Sequence, residues 1–412
     1  MVLRNKTLEW LNKIIYWGVI IIPFAASFSS AVVEVFSWIV ISIFILKKIL
    51  TRNATIAKTP INIPFLLLII ISFLSFYNSV SIRASAQGIL KLLKYGFLVF
   101  IIAGETKDRK HFIRIISAVF LGLLLSSLDG IYQMIFGIDF FRHKPYDSIM
   151  GLTRLKAAFP HTNIFAGYLA LFVPVCLPVA LYYLEGKKRI ILEVIFLLGL
   201  FCLIFTFSRS AIFGVWLTLL IMGLIRKDKI VMGITILSMI VAPFIAPQSI
   251  KNWSSTTTSV WEFLLNKERF VLYETSLNMI KEHPVVGVGV NTYVLNYQKY
   301  KLHDTSVETA NTGWYAHNSY LQMAGEIGLI GLAVFIWLLI LLIYQGFSYY
   351  RKYKNSFFGL CSLGIVLGIV AFLINGLTET NLYYPKIAVL FWFEVGLLAS
   401  IWQLNNSKCQ SG

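Results

Sequence analysis

Apolar residues come in long unbroken runs, without the alternation of a half-buried strand or the single stripe of a surface helix. The runs lie near 11–29, 31–46, 61–80, 86–103, 112–136, 163–184, 189–207, 210–225, 229–246, 318–347, 357–376 and 385–403. Most approach the roughly 20 residues that a helix needs to cross a hydrocarbon layer about 30 Å thick. Charged residues, Gly or Pro punctuate the chain between them. The pattern predicts an all-α polytopic membrane protein with about 12 transmembrane helices. Residues 1–246 hold the first nine, and residues 318–412 hold the last three with the C-terminus. Between helices 9 and 10, residues 247–317 are too long to be a mere connection and are expected to form a large helical loop capping the bundle. A second long loop spans 137–162.

Composition agrees. Hydrophobic residues make up 58% of the 412 and charged ones 13%, against roughly 45–50% and about 25% in a soluble domain. A net charge of +17 in a soluble protein would point to nucleic acid. Here 21 basic residues, among them Lys47, Lys48, Lys187, Lys188, Arg351 and Lys352, fall in the segments on one side. The short segments on the other side hold seven. The positive-inside rule then puts the N-terminus and the basic segments in the cytoplasm and both long loops outside. The charge reflects topology, and nucleic acid is not expected as a partner. Arg4, Lys6 and Lys13 precede the first run without a small-residue cleavage site, so that run reads as an anchor and not a signal peptide. Cys176, Cys202 and Cys361 sit in apolar runs and Cys409 near the end, which leaves no disulfide framework and no metal-type spacing.

Candidate chemistry gathers on the outer side. Phe207-Ser208-Arg209-Ser210 joins two runs with scarcely a loop between them. Arg209 is there either an interface anchor or a cation held at the bundle mouth, where a guanidinium grips phosphate oxygens in pairs. In the long loop, Phe270, Tyr273, Leu277 and Ile280 recur at helical spacing until Pro284, which predicts an amphipathic helix headed by Glu268-Arg269 and followed by Gly287-Val-Gly289. Charges in that loop balance, so an anion site there must be made by placed residues. Tyr315-Ala-His317-Asn318-Ser319 lies where the chain re-enters the membrane. An imidazole near its ordinary pKa accepts a proton from a sugar hydroxyl at neutral pH, and Asn318 can orient it or the substrate. Glu326, between Gly325, Gly328 and Gly331, needs a partner inside a membrane, and an arginine is one candidate. Weaker signals are Arg154 with His161-Thr162-Asn163, and Glu379 with Lys386 in the last outer loop. His143, His283 and His303 lack ligand spacing. No acidic pair offers Mg²⁺-ligand spacing, and no metal or other cofactor is expected.

His317-Asn318, nine further residues and then Gly328-Leu-Ile-Gly331 resemble the H-N-x9-G-x-x-G signature of the O-antigen ligase family. Thr206-Phe-Ser-Arg209-Ser-Ala looks like that family's arginine at a span boundary, and the stretch from Arg269 to Gly289 looks like its loop helix. The three elements occur in order over roughly residues 150–400. The resemblance implies a metal-independent, inverting glycosyltransferase of the bacterial inner membrane with its active site facing the periplasm. Its donor would be a glycan on undecaprenyl pyrophosphate, and its acceptor a sugar hydroxyl of the lipid A core of lipopolysaccharide. By the same resemblance Arg209 and Arg269, and more weakly Arg154, would hold the pyrophosphate. His317 would activate the acceptor hydroxyl, with Asn318 beside it.

An O-antigen polymerase, which extends a lipid-linked glycan, and an enzyme that glycosylates protein hydroxyls share the donor and differ in acceptor. A lipid-linked glycan transporter would carry as many helices, but transporters place their coupling residues near mid-membrane, often in broken helices. The polar residues here gather at one face.

Overall fold

The computed structural model describes residues 2–53, 55–149, 152–245, 267–301 and 315–409. Fourteen helices run through these residues. They are α1 (Val2–Ala25), α2 (Ser30–Thr51), α3 (Asn62–Leu74), α4 (Ile82–Glu105), α5 (Arg109–Phe136), α6 (Thr162–Tyr182), α7 (Gly186–Phe205), α8 (Arg209–Arg226), α9 (Lys229–Ile245), α10 (Lys267–Glu282), α11 (Tyr293–Tyr300), α12 (Ser319–Lys352), α13 (Phe357–Asn375) and α14 (Pro385–Cys409). All twelve apolar runs are helical. Nine of the helices are long and apolar enough to cross a membrane: α1, α2, α4, α5, α6, α8, α12, α13 and α14. α3 and α9 are shorter apolar helices. α7, with Lys187, Lys188, Arg189 and Glu193 in its first half, is not among the nine.

Local chemistry sets the helix ends. The side chains of Ser29, Ser81, Asp108 and Ser356 each accept a backbone N–H of the first turn they precede. α5 stops at Gly137, whose φ of 81° ends the helix in the left-handed region.

The bundle is built round α6, of whose span 94% is buried, flanked by α13 and α14 at 78% and 83%. α13 carries Gly364-Ile-Val-Leu-Gly368 against α6. A Cβ on Gly364 would lie 2.8 Å from the carbonyl oxygen of Val175, and one on Gly368 would lie 2.0 Å from that of Leu171. Small residues one turn apart let these backbones touch, the packing open to helices that have no hydrophobic effect to drive them together in lipid. The outer helices expose apolar side chains, such as Ile63, Leu66, Ile70 and Phe73 of α3 and Ile190, Ile191 and Leu197 of α7. That exposure is unfavourable in water and neutral in a bilayer.

Two features depart from expectation. The loop 137–162 contains an antiparallel hairpin, β1 (Asp147–Ile149) with β2 (Leu152–Arg154), in which Asp147 faces Arg154. It is pinned where Lys156 Nζ reaches Asp147 Oδ1 at 2.6 Å and where Thr162 donates to Asp147 Oδ2. α10 forms as expected, but Phe270 and Leu277 of the expected apolar stripe are exposed, and the buried face is Leu272, Thr275, Ser276 and Met279. Thr275 and Ser276 can be buried because their hydroxyls donate to backbone carbonyls one turn back, and Ser276 also meets the Tyr293 hydroxyl at 2.7 Å. With Val288, Tyr297, Tyr300 and Ala316 this face makes a second, smaller core beside the bundle. Lys251, Glu262, His303, Asp304 and Glu308 of the long loop lie outside the described residues.

Candidate functional site: arginines and a histidine around Glu379

Four segments far apart in sequence meet at one end of the bundle. The first is the α7–α8 junction. Phe207, with a φ of 51°, turns the chain, so that Arg209 opens α8 as its first residue. Ser210 is held by the side chains of Asn375 and Thr378 at 2.9 and 2.6 Å, which ties the start of α8 to the loop after α13. The hairpin docks on the same junction, with Leu155 N donating to Phe205 O and Arg154 Nε to Thr206 O at 2.9 Å.

The second and third segments are the head of α10 and the residues before α12. Asn318 caps α12, its Oδ1 accepting from Tyr320 N and Leu321 N while its Nδ2 donates to Leu377 O. His317 just ahead is held at a φ of 46°. A left-handed conformation in a non-glycine residue costs about 1–3 kcal/mol and needs support from its surroundings. Here the fourth segment, the loop after α13, gives that support.

Glu379 in that loop joins these segments. Its Oε1 accepts from Arg269 Nη2 at 2.6 Å and from Asn163 Nδ2 at 2.7 Å, and its Oε2 lies 3.2 Å from His317 Nδ1. Asn163 passes the contact on, since its Oδ1 accepts from Arg154 Nη2 at 2.9 Å. The carboxylate is only 5% exposed, against 19% for the Arg269 side chain and 27% for that of His317. Arg209 stands close enough to feel the charges of both Arg269 and Arg154. Burial pulls the Arg154 guanidinium below its ordinary range; the negative charges of Glu379 and Asp147 oppose the shift, and Arg269 adds to it. Arg269 and His317 directly, and Arg154 through Asn163, thus meet at one buried carboxylate with Arg209 close to both arginines, a positive excess suited to a multiply charged anion. Among the described residues no three of His, Cys, Asp and Glu gather as a metal site.

Arg154, Arg209, Arg269, His317 and Asn318 are thus brought together. Glu379 is central although it stood out only weakly in sequence, lying 110 residues from Arg269 and 62 from His317. A bundle end that collects arginines needs a counter-ion, and that is the signal that could have raised it. Lys386, its neighbour in sequence, goes elsewhere: it is buried with Nζ 3.6 Å above the ring of Phe159. Glu326 does not pair with an arginine. Its carboxylate accepts the backbone N–H groups of Asn291 and Tyr293 at 2.8 and 3.2 Å. Gly328 does not serve helix contact either; at φ 75° it breaks α12.

Residues 194–336 match the family described as O-Antigen ligase. Over that stretch the chain is similar to the O-antigen ligase family. The matched stretch contains Arg209, Arg269, His317 and Asn318, and the match supports glycosyltransferase activity of the O-antigen ligase and polymerase type. Arg154, Asn163 and Glu379, which complete the cluster, come from outside it. No curated protein matches the chain.

Proposed function

We propose that the protein is an O-antigen ligase of the bacterial inner membrane, with the Glu379 cluster facing the periplasm and the head of α10 beside it. The donor is a glycan on undecaprenyl pyrophosphate and the acceptor a sugar hydroxyl of lipid A core. The observation that carries this reading is the Arg269–Glu379–His317 bridge. A carboxylate at Nδ1 favours the tautomer with its proton on Nδ1, which makes Nε2 the basic nitrogen that would take the acceptor's proton, and it stabilises the imidazolium that results. The acceptor oxygen attacks the anomeric carbon as the bond to the pyrophosphate oxygen breaks, and a single displacement inverts that centre. The departing pyrophosphate keeps the bonding electron pair, and its charge is met by Arg209 and Arg269, with Arg154 beyond them. Cations fixed in the protein do here what a metal ion does in many transferases.

Purified protein given lipid-pyrophosphate-linked glycan and lipid A core should yield glycan on the core lipid. A ladder of longer lipid-linked glycans from donor alone would make it a polymerase, and glycan on added protein would make it a protein glycosyltransferase. Transport is disfavoured by what happens at the break in α12. In a transporter the freed backbone groups would face a substrate path, whereas here they are bonded to the segment after α10.

A further inference from the structure

The segment 284–293, between α10 and α11, is a strap laid against the break in α12. A break at Gly328 leaves helix backbone groups without their usual partners, and inside a membrane protein these must be satisfied by the protein itself. The strap supplies the partners. Leu329 N donates to Pro284 O at 2.8 Å, Val288 N to Gly325 O at 2.9 Å and Gly289 N to Glu326 O at 2.9 Å. The fit is close enough to require glycine on both sides. A Cβ on Gly328 would lie 2.1 Å from Val285 O, and one on Gly287 would lie 2.4 Å from Glu326 O. Both residues have positive φ, 75° and 68°.

The fully buried carboxylate of Glu326 extends the same contact to the head of α11 through Asn291 N and Tyr293 N. From the opposite side, Asn78, Ser75, Ser85 and Lys91 of the α3–α4 corner hold residues 287, 290 and 291. One turn before Glu326, Gln322 accepts the backbone N–H of Ala316, the residue beside His317. The strap leads directly out of α10, at whose head Arg269 meets Glu379 and, through it, His317.

We propose that Glu326 is a positioning residue for glycan transfer: it locks the strap into the break of α12 and so sets the placement of α10, and with it Arg269, against His317. This rests on the function proposed above. Orientation errors of about 1 Å cost on the order of a hundredfold in rate, so Glu326→Gln should lower kcat at least tenfold while the thermal midpoint stays within a few degrees. Amide hydrogen exchange at 288–293 should rise. The distance between spin labels at Leu277→Cys and Ile330→Cys, measured in a background without Cys409, should shift or broaden. Glu326→Gln with wild-type kcat overturns the proposal, whether or not the strap has loosened. Should that variant fail to fold, Gly287→Ala must give the same slow, strap-loosened enzyme, and a fast one overturns the idea equally. Exchange and label distance need no substrate. If wild-type protein transfers glycan to no acceptor while the variant's distances move, the function has failed and the strap's hold on α10 stands. Unmoved distances overturn the positioning role.

Discussion

At the scale of single residues, the candidate site turns on one carboxylate bonded to an arginine, an asparagine and a histidine. Glu379→Gln keeps an acceptor for Arg269 but removes the charge that favours the imidazolium of His317. General acid–base assistance is worth about 10²–10⁴ in rate, so this variant should lose transfer within that range while remaining folded, as read by gel-resolved product formation and by size-exclusion profile. Arg209→Ala, Arg269→Ala and His317→Ala should each abolish transfer without unfolding the bundle, and wild-type activity in any of the three removes that residue from the mechanism. Since the cations belong to the protein, EDTA should leave the rate unchanged, and strict Mg²⁺ dependence would overturn that part. The roles of Arg209, Arg269 and His317 were suggested by their motifs. That of Glu379 was not, because its partners are distant in sequence and its short loop has no periodicity to mark it.

At the scale of elements, the glycines separate into two kinds that sequence does not distinguish. Gly364 and Gly368 bring α13 onto α6, and Gly287 and Gly328 let a strap and a broken helix interlock. Gly368→Val places a branched side chain where a single Cβ already lies 2.0 Å from the carbonyl oxygen of Leu171. It should destabilise the detergent-solubilised protein by at least about 2 kcal/mol, seen as a lower thermal midpoint together with lost activity. An unchanged midpoint would mean that α6 and α13 can separate freely. On α10 the apolar positions Phe270 and Leu277 stay on the surface while another face packs inward. Helical period identifies a face, but the second partner of the buried Ser276, the hydroxyl of Tyr293, is one that only folding brings near.

At the scale of the whole molecule, the distribution of Lys and Arg predicts which end of the bundle faces the cytoplasm. Cys176, Cys202 and Cys361 are buried, so introduced thiols can be read over a quiet background once Cys409 is replaced. In intact spheroplasts Tyr77→Cys, at a position 90% exposed at the same end as the site, should react with a membrane-impermeant maleimide, and Lys188→Cys at the opposite end should not. The reverse labelling would invert the topology and put the site on the cytoplasmic face. The twelve helical runs and the predominantly helical class follow from sequence alone, because transfer of apolar residues to lipid is a property of local segments. So does the likeness of residues 194–336 to the O-antigen ligase family, through short motifs at fixed spacing. The docking of Arg154 on Thr206, the break at Gly328, the partner of Glu326 and the bridge at Glu379 were decided by tertiary structure. Each depends on a buried polar or backbone group finding its hydrogen-bond partner across tens to hundreds of residues, and only the packed chain brings those partners within 3 Å or so of one another.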